Sequence, residues 1–431
     1  MARRAQVPHH THKALSLKKH YKWLLWFSLS VYLFLSTTSS YSSFLFLHPL
    51  RLNSNLPARA LIEPKNPSSH SSLPKVYVYE LPSRFNTDWL ANERCGTHLF
   101  AAEVAIHEAL LQYAGRSLDP EEADFFFLPV YVSCNFSTVN GFPDLHHARP
   151  LLAAAIELVA GEFPFWNRSR GRDHVLVASH DYGACFHAME DVAIADGIPE
   201  FMKNSIILQT FGLRRPHTCQ EAEHVLIPPY VPPSIEDEWP LPEMSTRDNF
   251  VFFRGKMEVH PKNVSGRFYS KRVRTEILRK YGGNPRFRLE RKRSGDYRRE
   301  MARSVFCLCP LGWAPWSPRL VEAVALGCVP VIVADDIRLP FTETVGWPEI
   351  SLTVAEAEVN RLEEILDRVA ATNLSTIQRN LWEPARRRAL LFRRPMAEGD
   401  ATWHVLRALE GMRLRQLRRP RDGGGETDRW R

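Results

Sequence analysis

Several kinds of signal are missing from this chain of 431 residues. No unit of about 20 to 50 residues repeats, which excludes solenoids and propellers. Cys307-x-Cys309 has no second ligand pair downstream, so it is not a zinc module, and burial on a strand face is the better reading. Lysine and arginine outnumber acidic residues by 56 to 48, a formal charge of +8, but no aromatic platform or helix-turn-helix signal accompanies them. The excess gathers at the ends: Arg3, Arg4, Lys13, Lys18, Lys19 and Lys22 in front, Arg386 to Arg388 and Arg413 to Arg421 behind. Nucleic acid is therefore not an expected partner. Disorder of the whole chain is excluded by a composition 44% hydrophobic and 24% charged. Since single cores stop growing near about 250 to 300 residues, the length accommodates an anchor and two packed lobes.

The first positive signal is at the N-terminus. Trp23 to Leu35 carries no charge, and the uncharged stretch runs on to Leu47. A bilayer core takes roughly 20 helical residues, and the basic segment 1–22 before it stays cytosolic under the positive-inside rule. A cleaved signal peptide is the rival; the lack of a small-x-small cleavage site and the length of the basic segment favour a signal anchor over 23–47. Residues 48–74 are rich in Pro, Ser and Asn without sustained periodicity, as expected of a lumenal stem. Sequons at Asn135, Asn167, Asn263 and Asn373 fit a lumenal head. Seven cysteines in such a compartment imply disulfides of undetermined pairing, with at least one thiol unpaired within the chain.

Along the head, buried-strand runs alternate with helical stretches. Strands are expected at 75–80, 123–132, 174–179, 205–210 and 225–227, with helices near 98–113 and 149–161. The Pro-rich passage 228–242 separates these from a second set. There, strands fall at 249–254, 286–289, 305–309 and 329–333, and helices at 270–281, 297–303 and 318–326. Near-continuous apolar strands suit parallel sheets, so the expected fold is α/β with two Rossmann-like lobes. The lobes are bounded at 75–240 and 241–375, followed by a helical segment 376–412 and a basic, disordered tail 413–431; the helical sequence after Val354 is expected to complete the second lobe and cross back.

The chemistry concentrates in 304–341, where a strand leads through a Gly/Pro/Trp loop into a helix and a second strand. Ser317 is a favoured N-cap and Pro318 fits the first turn, so free N–H groups and the helix dipole form a site for a diphosphate. Arg319 adds a charge-assisted contact and Glu322, one turn on, an acceptor for ribose hydroxyls. A capped helix with an exposed Arg/Glu pair is the plainer alternative. The complete segment resembles the exostosin signature of glycosyltransferase family 47: Cys309-Pro310-Leu311-Gly312, then Arg319 to Ala323, then Gly327 to Val331. Asp119 to Asp124 followed by FFFLPVY, and Phe253-Arg254-Gly255-Lys256, extend the resemblance over about residues 75 to 390. Within that family, Ser179 to His187 and Phe252 to Arg274 look like the plant fragile-fiber/irregular-xylem branch.

What the resemblance implies is a GT-B fold, inverting transfer, a UDP-sugar in the C-terminal lobe and a xylan-type acceptor in the cleft. It further implies glucuronate as donor sugar, with xylose open, and a single-pass type II protein of the Golgi membrane, working beside other xylan-synthesis glycosyltransferases. Arg254 and Lys256 open a basic loop suited to phosphate or a uronate, although a solvated charge run explains any one of them as well. Inversion requires a base, and His180 or Asp181, after a strand's carboxyl end, is its expected source; either one serves equally as a turn cap. Asp335-Asp336 lacks the Asp-x-Asp spacing of a metal-dependent fold, so no essential metal or other cofactor is expected. A glycosyltransferase-like scaffold without turnover, or an anchored lectin, is the alternative, and donor binding separates them.

Overall fold

The computed structural model describes residues 73–418, except 140, 239, 258–268 and 293. The expected anchor, nearly all of the stem, Asn263, the middle of the basic loop and residues 419–431 lie outside them.

Apolar runs become two sheets. In the first, β1 (Val76–Val78), β2 (Arg116–Ser117), β3 (Phe125–Phe127), β4 (His174–Ala178), β5 (Ile206–Gln209) and β6 (His224–Leu226) stand in the order β2-β1-β3-β4-β5-β6. Every pairing is parallel. All residues of β3, β4 and β5 are buried, as a sheet covered on both faces requires. α1 (Ala102–Leu111) and α2 (Ala148–Glu162) belong to this lobe.

The second sheet contains β7 (Asn249–Arg254), β8 (Phe287–Glu290), β9 (Ser304–Pro310), β10 (Val329–Val333) and β11 (Leu352–Thr353), ordered β11-β10-β9-β7-β8, again all parallel. Its helices include α3 (Val273–Tyr281), α4 (Tyr297–Ala302), α5 (Pro318–Ala325) and α6 (Leu362–Thr372). Both orders are doubly wound, reversing between β1 and β3 and between β7 and β9. In such sheets a ligand crevice opens outside the carboxyl ends of the strands at the reversal.

Three details depart from the sequence reading. The edge strands β2 and β11 are two residues long, too short to show any periodicity. Instead of starting at Ser270, the basic helix starts at Val273, because Ser270, Lys271 and Arg272 all have left-handed φ of 52°, 48° and 70°. At the C-terminus, α7 (Ala401–Arg418) continues past 412. Met412 is buried, and Arg413 donates to Glu410 at 2.9 Å and faces Asp124 at 3.7 Å, so the first part of what reads as a disordered basic tail, 413–418, is helix. Val405, Leu406 and Leu409 pack with Val78, Phe127 and Leu208, which is how the chain returns to the first lobe.

Candidate active site

The second sheet's reversal is built around the start of α5. Ser317 is extended (φ −160°, ψ 135°), its Oγ accepts from the Arg319 N–H at 3.3 Å, and Pro318 occupies the first turn. Within the first turn Pro318 has no N–H, that of Arg319 is taken by Ser317 Oγ and that of Leu320 donates to the Ser317 carbonyl at 3.1 Å, so what this end offers an anion is the helix dipole and the Arg319 guanidinium. Arg319 folds back over this end: Nη1 donates to Ser317 Oγ at 3.1 Å and Nη2 to the Arg254 carbonyl at 2.9 Å, with the guanidinium 4.8 Å above Phe253. Gly255 makes this possible, since a Cβ there would stand 2.9 Å from Nη2. One turn on, Glu322 accepts from Tyr297 Oη at 2.7 Å. Burial, then the Glu322 charge, pushes that phenol's pKa far up, so it remains a donor.

The structure divides the basic residues differently from the sequence reading. Arg254, the preferred phosphate contact, has its guanidinium committed to Glu300 (Nη2 to Oε2 2.5 Å, Nε 3.1 Å) and to the Lys292 carbonyl at 2.6 Å. It is the Arg254 carbonyl, holding Arg319, that faces the α5 start. Lys256 has Nζ 5.0 Å from the Tyr269 ring and 5.9 Å from Trp313, and its pKa is lowered by burial and by Arg274. Arg274 is not singled out by the sequence reading. Buried, it donates to the Leu311 carbonyl at 2.9 Å, Pro310 at 3.1 Å, Lys256 at 3.3 Å and Tyr269 Oη at 2.8 Å, joining the end of β7 to the end of β9. None of these partners is a carboxylate, and burial pulls its pKa down to about 10. Its signal is an arginine beside the apolar stripe of Val273, Ile277 and Tyr281, where a solvated charge does not belong.

Across from this end lies the segment after β4. His180 is buried, its Nδ1 accepts from the Asp181 N–H at 2.8 Å, and its ring sits 4.3 Å from Phe100. Burial, with a smaller push from His98, pulls its pKa down to about 3, which makes it a weak base. The Asp181 carboxyl is pushed up to about 7 by burial, near the value a base working at neutral pH needs. The two lobes meet at this residue: Trp316 Nε1 donates to the Asp181 carbonyl at 3.3 Å and Tyr182 Oη to the Trp313 carbonyl at 2.9 Å. Ala314, from the loop before α5, is buried in the first lobe's core. Gly183 (φ +47°) allows Gln209 to close on this turn, since a Cβ would meet Gln209 Oε1 at 2.1 Å, and Cys185–Cys219 ties it to the turn before β6.

The other expected positions take simpler roles. Asp335 Oδ1 accepts from the Glu356 N–H at 3.0 Å while Glu356 Oε1 accepts from the Asp335 N–H at 2.9 Å, a backbone clasp. Among the described residues no three His, Cys, Asp or Glu side chains converge on a metal-ligating group, and no helix is long and apolar enough to cross a membrane. Asn167 and Asn373 are exposed and Asn135 is half-buried. Cys95–Cys134 and Cys307–Cys328 complete the pairings, leaving Cys309 as a buried thiol whose pKa burial pushes up to about 12.

Comparison with known proteins adds a family to this geometry. The profile described as the Exostosin GT47 domain matches residues 70–369. A protein of Oryza sativa subsp. japonica named "Probable glucuronosyltransferase" is 67% identical, covering 82% of this chain and 83% of its own. Two Arabidopsis thaliana proteins are named "Probable glucuronoxylan glucuronosyltransferase". One is 61% identical, covering 91% of this chain and 86% of its own. The other is 57% identical, covering 95% of this chain and 97% of its own.

Proposed function

The chain belongs to the exostosin GT47 family of glycosyltransferases, and we propose that it is an inverting, GT-B-type enzyme transferring glucuronate from a UDP-sugar to xylan in glucuronoxylan synthesis. The observation that carries this reading is the placement of a capped helix start and the cations Arg319, Arg274 and Lys256 at one sheet's crevice, opposite a carboxyl poised near neutrality.

In this arrangement the diphosphate lies on the N-terminus of α5, where the helix dipole opposes its charge and Arg319 donates to its oxygens. Glu322, oriented by Tyr297, receives the ribose hydroxyls. Asp181 takes the proton from the acceptor hydroxyl as its oxygen bonds to the anomeric carbon. The bond from that carbon to the diphosphate breaks on the opposite face, UDP carries away the electron pair, and the anomeric configuration inverts. Neutralisation by helix dipole and guanidinium supports transfer without an essential metal. The uncharged stretch at 23–47 and the sequons support a type II Golgi membrane protein with a glycosylated lumenal head.

Calorimetric titration of the full chain with UDP, in chelator, tests the donor half. Wild type is expected to bind. Arg319→Ala removes a charge-assisted contact worth about 1.5 to 3 kcal/mol, an order of magnitude or more in affinity. Glu322→Ala should weaken uridine nucleotides selectively over inorganic diphosphate. Folded protein that binds no UDP would leave the scaffold and lectin readings in place of the transferase.

A further inference from the structure

A wide cleft lies away from the site described above. Its volume is 1240 Å³, and none of the residues assigned to donor or base lines it. One wall is α7, which presents Trp403, Arg407, Gly411 and Arg415 to the cleft. These recur every four residues, so they form one stripe rising about 6 Å per step along the helix. Facing them are Arg214 and Arg338, on the two segments whose backbones join the lobes through Leu213 and Ile337. The floor includes β6 and β11, the edge strands of the two sheets.

The chemistry of this lining is specific. Four arginines meet two carboxylates, those of Glu223 and Glu343. Arg214, Arg338, Arg407 and Arg415 are all exposed, so they are hydrated and available to a ligand. Arg338 is steadied by donating Nη1 to His224 Nε2 at 2.8 Å, and Arg407 lies 5.6 Å over the half-buried Trp403 ring. An aromatic face flanked by guanidinium groups matches a sugar ring next to a carboxylate: the ring stacks on the indole while the fork of Arg takes both oxygens. A neutral chain satisfies only the first of these contacts.

We infer that this cleft is a second carbohydrate site, holding a uronate-bearing stretch of the xylan-type polymer at a distance from the reacting end. The inference rests on the glucuronoxylan reading for the identity of the polymer, but not on the placement of donor or base. Such a site keeps a growing or decorated chain associated between turnovers, and it makes affinity depend on substitution rather than on length alone.

The test is calorimetric titration of the full chain with a glucuronate-substituted xylo-oligosaccharide and with the unsubstituted one of equal backbone length. Both titrations are repeated on Arg407→Ala/Arg415→Ala and on Arg214→Ala/Arg338→Ala, with a UDP titration run beside each. The substituted ligand is expected to bind about tenfold tighter, with the advantage shrinking in salt as for a partly exposed ion pair. Each double substitution should erase that advantage while leaving UDP affinity unchanged. Equal binding of the two ligands to wild type, or a preference that survives both substitutions, overturns the proposal. A chain that binds no UDP yet keeps the arginine-dependent preference retains this site and sinks the transferase reading instead.

Discussion

At the scale of single residues, the account depends on Asp181. Burial raises its pKa from 3.8 to about 7, so kcat/KM should climb as pH rises through about 7, where the carboxylate forms, and level off above it. Linkage gives stability the opposite sign. Because the folded-state value is the higher one, Asp181 favours the fold fully below pH 3.8, and that contribution is lost as pH rises toward about 7. Asp181→Asn should therefore lower turnover by about 10² to 10⁴, the usual weight of a general base, while raising the melting temperature at neutral pH relative to wild type. A variant that keeps wild-type turnover and the same acidic limb would transfer the role to another group. His180, adjacent in sequence, is an equal candidate until its ring is seen buried against Phe100 with Nδ1 already accepting a hydrogen bond. Which of two neighbours is sealed against an aromatic ring and which keeps part of its side chain accessible is a tertiary fact that sequence alone does not carry. Ser317 and Pro318 are legible because capping chemistry is local. The pairing of Arg254 with Glu300 is not legible in the sequence because the two are 46 residues apart.

At the scale of elements, the device that matters is β9-loop-α5-β10. Cys307 on β9 bonds Cys328 at the entry to β10, a separation of 21 residues that encloses the whole donor loop and helix. Closing a loop of this length stabilises the fold by about 3 kcal/mol in the chain-entropy view. Replacing Cys307 and Cys328 together with serine should cost roughly that much in denaturant unfolding and should weaken UDP binding, since the loop and helix start proposed to hold UDP lie within the bridged segment. If UDP affinity and stability both stay at wild-type values, the bridge does not hold the donor loop. The helices and central strands of both lobes are readable because burial imposes long apolar runs on them. Cysteine pairing is not, since it depends on which strands become neighbours.

At the scale of the whole molecule, two parallel α/β sheets are joined where the loop before α5 enters the first lobe through Ala314 and Trp316. That docking brings the Asp181 segment against the loop that leads into α5, although Asp181 and Arg319 are 138 positions apart in sequence. Two lobes and a Pro-rich join are apparent from the pattern of strands and helices. Strand order is not, because pattern reports which face of an element is buried and says nothing of its neighbour. The return of α7 to the first lobe is anticipated only as a crossing, and its end is misplaced where basic residues pair within the helix. The most direct measurement of the central claim is transfer itself: full chain, UDP-glucuronate and a xylo-oligosaccharide, with the product's anomeric configuration read by NMR. The account predicts a glycosidic product of inverted configuration, lost in Asp181→Asn although UDP still binds. A product of retained configuration, or undiminished product from Asp181→Asn, would contradict it.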